Sequence, residues 1–425
     1  MADRPPCESR VSTLRRQSRI RKEPVVSPHP TTFVGLDVHK NTIQVAVLVP
    51  GRSEWLEWGE AHTGEAVRRL ARRLLREAPG AVECCYEAGP TGYFLQRKLR
   101  SLGVGCTVVA PSLIPVKPGV RIKTDRRDAR KLAELFRAGL LTEVHPPSET
   151  DEAFRDLCRC RGQAQRDLLR AQHRLSKFLL RRHLIYRETK HHWGTRHLAW
   201  VRALKFEDSS SQAVFESYLL TVDQLAERRQ QLDRTITEAA AQEPYRQPVA
   251  WLRCFRGIDT LTAACLVAEL HDFRRFHSPR QLRAYLGLVP TENSSGSRES
   301  RGSITKAGNS HVRRLLVEAA WHHRYKPRVT GPILRRRAGQ PARILALADR
   351  AQERLYARYW RMTRRGTAQP KVIVAMAREL VGYLWAALHP DTLPTRPVTS
   401  GETKDVSEAP SQIPHPLEIV APARS

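Results

Sequence analysis

The run KTDRRDARKLAELFRAG, residues 123–139, decides how the rest of the chain is read. Asp125 and Asp128 stand three apart at the head of an apolar repeat formed by Ala129, Leu132, Ala133, Leu135 and Phe136. Residues three apart share one face of a helix. Arg126, Arg127 and Arg130 lie among them. Taken alone, the pair reads as a salt-bridged helix start, with carboxylates placed well against the helix dipole. It also reads as half of a divalent-metal site, and the flanking sequence has to choose.

Upstream, strands and helices alternate. Residues 33–37 and 43–49 are β-rich runs joined by the polar turn His39-Lys40-Asn41-Thr42. A helical pattern follows at 65–76, then a buried strand at 81–86 that ends on Glu87. A Gly/Pro turn at 88–92 leads to a helix at 93–102, a strand at 105–110 and a proline-rich loop at 111–121. This order predicts a mixed α/β domain over 31–148. Open α/β sheets collect their sites at the carboxyl ends of strands. Asp37 and Glu87 each end a strand, and the Asp125/Asp128 helix is able to pack across the same edge. Four carboxylates in one place repel one another unless cations neutralise them. Oxygen-only ligation suits Mg²⁺ or Mn²⁺. Two such ions about 3.5–4 Å apart clamp the attacking and leaving oxygens of a phosphodiester reaction. An ornamental helix start does not call for two further acids at strand ends, so the residues favour the metal-site reading.

Three of these stretches carry a family resemblance. GLDVHK (35–40), CYEAGPTGY (85–93) and KTDRRDARKLAEL (123–135) resemble, in order, the acidic motifs of the bacterial DEDD insertion-sequence transposases. The resemblance implies a ribonuclease H-like, RuvC-type N-terminal domain with Asp37, Glu87, Asp125 and Asp128 as metal-binding catalytic acids. It spans about 33–388 and leaves both tails outside.

Composition agrees with a polyanionic partner. The 425 residues suggest two or three domains. Lys and Arg number 72 against 43 Asp and Glu, a formal charge of +29, which fits nucleic acid better than a small-molecule substrate. No apolar run approaches the roughly 18 residues of a membrane span, so no membrane partner is expected. The eight cysteines form no CxxC pair, and the arginine-rich start lacks the apolar core of a signal peptide. Reduced thiols in a cytoplasmic, nucleoid-associated protein are expected.

Residues 1–30 read as a basic disordered arm and 391–425 as a disordered tail. Over 149–247, Leu157, Ala164, Leu168, Ala171, Leu175 and Phe178 recur at three- and four-residue steps beside a stripe of arginines, and a second such helix runs over 215–241. These predict a helical coiled-coil arm, read either as an intramolecular antiparallel pair or as a dimerisation arm that carries nucleic acid. From 248 to 390 a mainly helical C-terminal domain is expected. Its segment 255–263 resembles a helix-hairpin-helix phosphate clamp turning at Gly257.

Residues 291–308, TENSSGSRESRGSITKAG, read by composition as a flexible basic loop. The longer run 286–321 is similar to the C-terminal transposase domain of the same family. That similarity implies a nucleophilic serine, Ser294 with Ser295 as the fallback, forming a covalent phosphoserine link to DNA. Many members continue with Gly-Gly-Lys, where this chain has Gly296-Ser297-Arg298. Arg126, Arg127, Arg130, Gly257, Arg298 and Lys306 are the expected nucleic-acid contacts. The resemblance further implies a composite metal-and-serine site, a homo-oligomer (dimer or tetramer), and a structured RNA from the element that specifies donor and target DNA. Two other readings stand beside this one. A RuvC-like nuclease would cut DNA junctions with metal-activated water and an inert serine loop. A non-catalytic nucleic-acid binder would account for the charge but not for the four acids.

Overall fold

The computed structural model describes residues 30–116, 124–189, 191–292 and 300–389. The expected disordered arm (apart from Pro30) and tail lie outside these residues. The chain divides between Ser148 and Glu149 into two compact units.

The first unit is built on one mixed sheet. Its elements are β1 (Thr32–Val38), β2 (Thr42–Leu48), β3 (Leu56–Ala61), α1 (Gly64–Glu77), β4 (Val82–Glu87), α2 (Phe94–Ser101), β5 (Gly105–Val109), α3 (Asp125–Arg137) and β6 (Glu143–Val144). The strands lie in the order β3-β2-β1-β4-β5-β6. β1 to β3 form an antiparallel meander, β4 and β5 run parallel to β1, and β6 pairs antiparallel with β5. This mixed α/β arrangement is consistent with the ribonuclease H-like expectation. Two strands were not anticipated. β3 reads LEWGEA, too polar for a β-rich run, and it is ordered by its ladder to β2. β6 is only two residues long.

The sheet is covered on both faces. Val34 and Leu36 of β1 point into a core shared with Val67, Leu70 and Leu74 of α1 and Leu95 and Leu99 of α2. The alternate residues of β1 face α3. Phe33 meets Phe136 edge to face, with ring centroids 5.6 Å apart, and Cys85 of β4 donates to the Leu132 carbonyl. α3 crosses β1 at Gly35 so closely that a Cβ there would stand 1.9 Å from the Ala129 carbonyl oxygen and 2.7 Å from the Ala133 nitrogen. Gly35 is therefore required by the approach of the helix backbone, not by its own dihedrals.

The second unit is helical. It comprises α4 (Glu149–Leu180), α5 (Thr195–Ala203), α6 (Ser209–Ala240), α7 (Arg246–Leu252), α8 (Thr260–Leu270), α9 (Pro279–Tyr285), the hairpin β7 (Pro290–Glu292) and β8 (Arg301–Ile304), α10 (Ser310–Trp321), α11 (Gly331–Arg337), α12 (Ala342–Arg364) and α13 (Gln369–Leu388). α4 and α6 pack on each other within the chain. Phe154 and Cys158 at the start of α4 share a core with Ile236 and Ala240 at the end of α6. Leu175 and Phe178 at the far end of α4 meet Phe215 and Val222 near the start of α6. The pair is thus antiparallel, and Arg161 fixes its register on Asp233 at 2.6 Å. The short helix α5, between α4 and α6, was not anticipated from the sequence. Its sequence TRHLAWVRA is basic, but Val201 and His197 bury into the arm.

α8 is buried along most of its length, as its sequence TLTAACLVAEL demands of a helix apolar all round. One carboxylate is buried with it. Glu269 accepts a two-pronged bond from Arg159 of α4, at 2.7 and 2.9 Å, and a third bond from Asn309 at 2.7 Å. Burial pushes the Glu269 carboxyl up, but Arg159 and Asn309 outweigh it and hold the group below the usual carboxylate range. Asn309 in turn caps α10 by accepting from the His311 and Val312 N–H groups. Arg159→Leu would leave this carboxylate buried with Asn309 as its remaining side-chain donor. We expect a loss of about 3–5 kcal/mol in a denaturant titration. Because the Glu269 carboxyl is lowered in the fold, its stabilisation is present above the ordinary carboxylate value and fades as pH falls through the lowered one.

Candidate metal centre

The carboxylate cluster follows from strand register. β1 and β4 are parallel, with Gly35 opposite Cys85 and Leu36 opposite Tyr86. Continuing that register by one residue sets Asp37 beside Glu87 at the carboxyl edge of the sheet. Asp37 follows Gly35, and Glu87 follows Cys85, by two positions, so both fall on the face that α3 covers. The N-terminus of α3 lies at that edge. Thr124 caps it by accepting from the Arg127 N–H at 3.4 Å, and Asp125 and Asp128 occupy its first turn.

Asp37, His39 and Asp125 bring one ligand atom each within 4.8 Å of one another. His39 Nε2 stands 3.3 Å from Asp37 Oδ2 and 3.6 Å from Asp125 Oδ2. Asp37 is half-buried, and burial is the main reason its carboxyl is raised above the ordinary range. His39 opposes the shift, while the charges of Asp125 and Asp128 add to it. A carboxylate repelled by two others is what a divalent cation would relieve, so this donor set fits such an ion. Glu87 and Asp128 are not part of the three-residue group. Glu87 is exposed at the end of β4, and the Asp128 charge reaches Asp37.

His39 was not anticipated as a site residue, since the sequence reads it as a turn position. The structure closes that turn with the His39 N–H on the Thr42 carbonyl at 2.8 Å. His62, just past β3, holds the His39 carbonyl through Nδ1 at 2.8 Å. The strand missing from the sequence reading thus helps to position the histidine. A histidine two residues past a strand-end aspartate was the available signal.

The expected nucleic-acid contacts fare differently. Arg126 and Arg127 are exposed beside the acids. Arg130 is committed to Glu57 of β3, donating from Nε at 2.6 Å and from Nη2 to the other carboxylate oxygen. That pairing lowers the Glu57 carboxyl. In the second unit, Gly257 has a positive φ of 83° and packs where a Cβ would meet the Ala319 carbonyl oxygen at 2.4 Å. The head of α8 is capped by Asp259, which accepts from the Thr262 N–H at 2.7 Å. Lys306 is exposed, with its own N–H on the Gly287 carbonyl. Ser294, Ser295 and Arg298 lie outside the described residues, between β7 and β8. Among the described residues no helix is long and apolar enough to cross a membrane.

Comparison with known proteins agrees with this arrangement. Residues 34–183 match the model of the IS110-type DEDD transposases, and residues 250–331 match that of the transposase IS116/IS110/IS902 family. A transposase candidate of Sinorhizobium fredii, y4qE, is 42% identical over 362 residues, covering 85% of this chain and 89% of its own. The transposase for insertion sequence element IS1533 of Leptospira borgpetersenii is 38% identical over 330 residues, covering 77% and 95%. The transposase for IS1328 of Yersinia enterocolitica is 26% identical over 304 residues, covering 68% and 83%. With Asp37 at the sheet edge meeting Asp125 at the head of α3, and with this similarity along its length to insertion-sequence transposases, the chain belongs to the IS110/IS116 family of DEDD transposases.

Proposed function

We propose that this transposase cuts and rejoins DNA with a divalent-metal centre on Asp37, Glu87, Asp125 and Asp128 and with Ser294 as the nucleophile. The observation that carries the reading is the meeting of Asp37 and Asp125 at one sheet edge, with the Asp37 carboxyl raised by burial and by its acidic neighbours. Bound Mg²⁺ or Mn²⁺ would supply charge stabilisation at the scissile phosphate. The protein's own part is to hold the carboxylates in place, with α3 fixed on Gly35, and to offer Arg126 and Arg127 to neighbouring phosphates. The Ser294 oxygen would attack phosphorus, displace the 3′ or 5′ oxygen of the broken strand and keep the phosphate as an ester. Its proton leaves as that bond forms, and the departing oxygen takes one up. The ester conserves the bond for rejoining. The serine and the use of a guiding RNA rest on family resemblance and on the basic composition of the chain.

The test is a covalent protein–DNA adduct. Full-length protein incubated with element-end DNA, divalent metal and co-purified RNA should yield an adduct that survives denaturation and is lost in Ser294→Ala. Strand cleavage that persists unchanged in both Ser294→Ala and Ser295→Ala, with no adduct, would replace the serine mechanism by metal-activated water.

A further inference from the structure

At the foot of the β7–β8 hairpin the second unit holds a cavity of about 740 Å³, open to solvent. Its walls come from α9, α12, α13 and both hairpin strands. Five cations line it, Arg283, Arg354, Arg358, Lys371 and Arg378, against one carboxylate, Glu379. Glu379 is already shared, since Arg354 binds one of its oxygens and Arg358 the other at 2.6 Å. Arg283, Lys371 and Arg378 therefore leave a net positive charge in the cavity. Arg283 is fixed rather than mobile. Its Nε donates to the Arg378 carbonyl at 2.8 Å, and its fork lies over Gly382, where a Cβ would come within 2.5 Å of Nη2. Between the charges the surface is apolar, from Leu288, Ile304 and Val374.

The charge does not stop at the mouth. Arg354 and Arg358 also line an adjoining groove with Arg361 and Arg365. Arg354, Arg358 and Arg361 recur at intervals of four and three along α12 and Arg365 caps its end, so they form one row, about one helical turn or 5.4 Å apart. Tyr356 and Trp360 lie around the helix from this row, on a separate groove that shares Arg361 and Arg365 with it. A free nucleotide or a phosphate ion would use the cavity but not the row. A phosphodiester chain would use the cavity cations, the apolar floor and the arginine row together.

We propose that this cavity and the α12 arginine row bind the sugar-phosphate backbone of a single DNA strand and lead it to the β7–β8 hairpin. The proposal rests on the DNA-handling function above but not on the serine. Fixed guanidinium groups favour phosphate oxygens without reading sequence. The strand enters along α12 and lies against Ile304 and Leu288 at the hairpin.

The experiment is equilibrium binding of a labelled single-stranded oligonucleotide to full-length protein in EDTA, across a series of salt concentrations. Lys371→Ala/Arg378→Ala should weaken binding and flatten the dependence of log K on log salt by about 1.4, since each lost phosphate contact on a single strand removes about 0.7. Arg68→Ala/Arg72→Ala on α1, an equal loss of exposed charge in the other unit, should change the slope far less. Glu379→Gln removes the cavity's one carboxylate and should tighten binding. Equal slopes for the two arginine-lysine and arginine-arginine pairs, or no tightening in Glu379→Gln, would overturn the proposal. So would a deoxynucleoside monophosphate that competes as well as the strand at equal phosphate concentration. The adduct assay is independent: loss of adduct with binding intact in Ser294→Ala concerns the serine, whereas an unchanged slope in the cavity variant concerns the strand path.

Discussion

Asp37→Asn and Asp125→Asn are each expected to lower metal-dependent strand cleavage by at least about 100-fold. The same substitution at Asp37 is expected to make the metal-free protein more stable, not less. Asp37 sits half-buried within reach of two further carboxylates, and its carboxyl is raised by burial first and by Asp125 and Asp128 after the opposing effect of His39. A raised carboxyl means that the charged form is disfavoured in the fold. The penalty is fully present above the raised value and is relieved as pH falls towards the ordinary carboxylate range. Asparagine keeps the shape and removes the charge, so thermal unfolding in EDTA should shift upward in Asp37→Asn at neutral pH. Added Mn²⁺ should reverse the order. Ligand linkage stabilises the wild type by about 2.7 kcal/mol at a hundredfold excess over the dissociation constant, and the variant should gain little. A wild type indifferent to Mn²⁺, with full cleavage in Asp37→Asn, would remove the metal centre. That pattern would mark a site whose repulsion is retained for activity.

Gly35→Ala is expected to be the most disruptive single-methyl change in the first unit. The added Cβ would meet the Ala129 oxygen at 1.9 Å and the Ala133 nitrogen at 2.7 Å. Both are backbone atoms of α3, so no rotamer change relieves the clash. The helix would have to retreat by roughly 1.5 Å or more to restore van der Waals contact. Overpacking of this kind costs about 1–3 kcal/mol or more. The functional cost should be larger than the cost in stability, because α3 carries Asp125 and Asp128 and a displacement near 1 Å can lower a rate by about 100-fold. The useful measurement is paired: a denaturant midpoint and a cleavage rate on the same preparation. Near wild-type cleavage in Gly35→Ala would show that the position of α3 does not matter to the site.

Much of this site was legible in the sequence because strand ends announce themselves. Asp37 and Glu87 follow short apolar runs, and the run from Asp125 to Phe136 has a helical period, so all three acidic elements are found near where they were expected. What the sequence concealed were features set by pairing. β3 is polar and gains its order from β2, and it is the neighbouring His62 that helps to fix the turn bearing His39. The packing role of Gly35 was hidden for the same reason, since only the crossing of α3 gives the missing side chain a meaning. Arg130 reads as a phosphate contact from its place among the acids, yet the β3 residue Glu57 captures it. In the second unit, α4 and α6 form within the chain the antiparallel pair that their heptad-like steps permit. The basic rows of α12 and α13 were scattered along the sequence and become one surface only when the two helices pack.

We propose that the aspartates at the carboxyl edge of β1 and the head of α3 hold a divalent metal ion. Direct titration of Mn²⁺ into the full-length, metal-free protein, followed by calorimetry, tests it without DNA, RNA or turnover. Saturable binding to wild type that is lost in Asp37→Asn and in Asp125→Asn, while Arg68→Ala binds normally, is the predicted result. Equal Mn²⁺ affinity in wild type and both aspartate variants would contradict it.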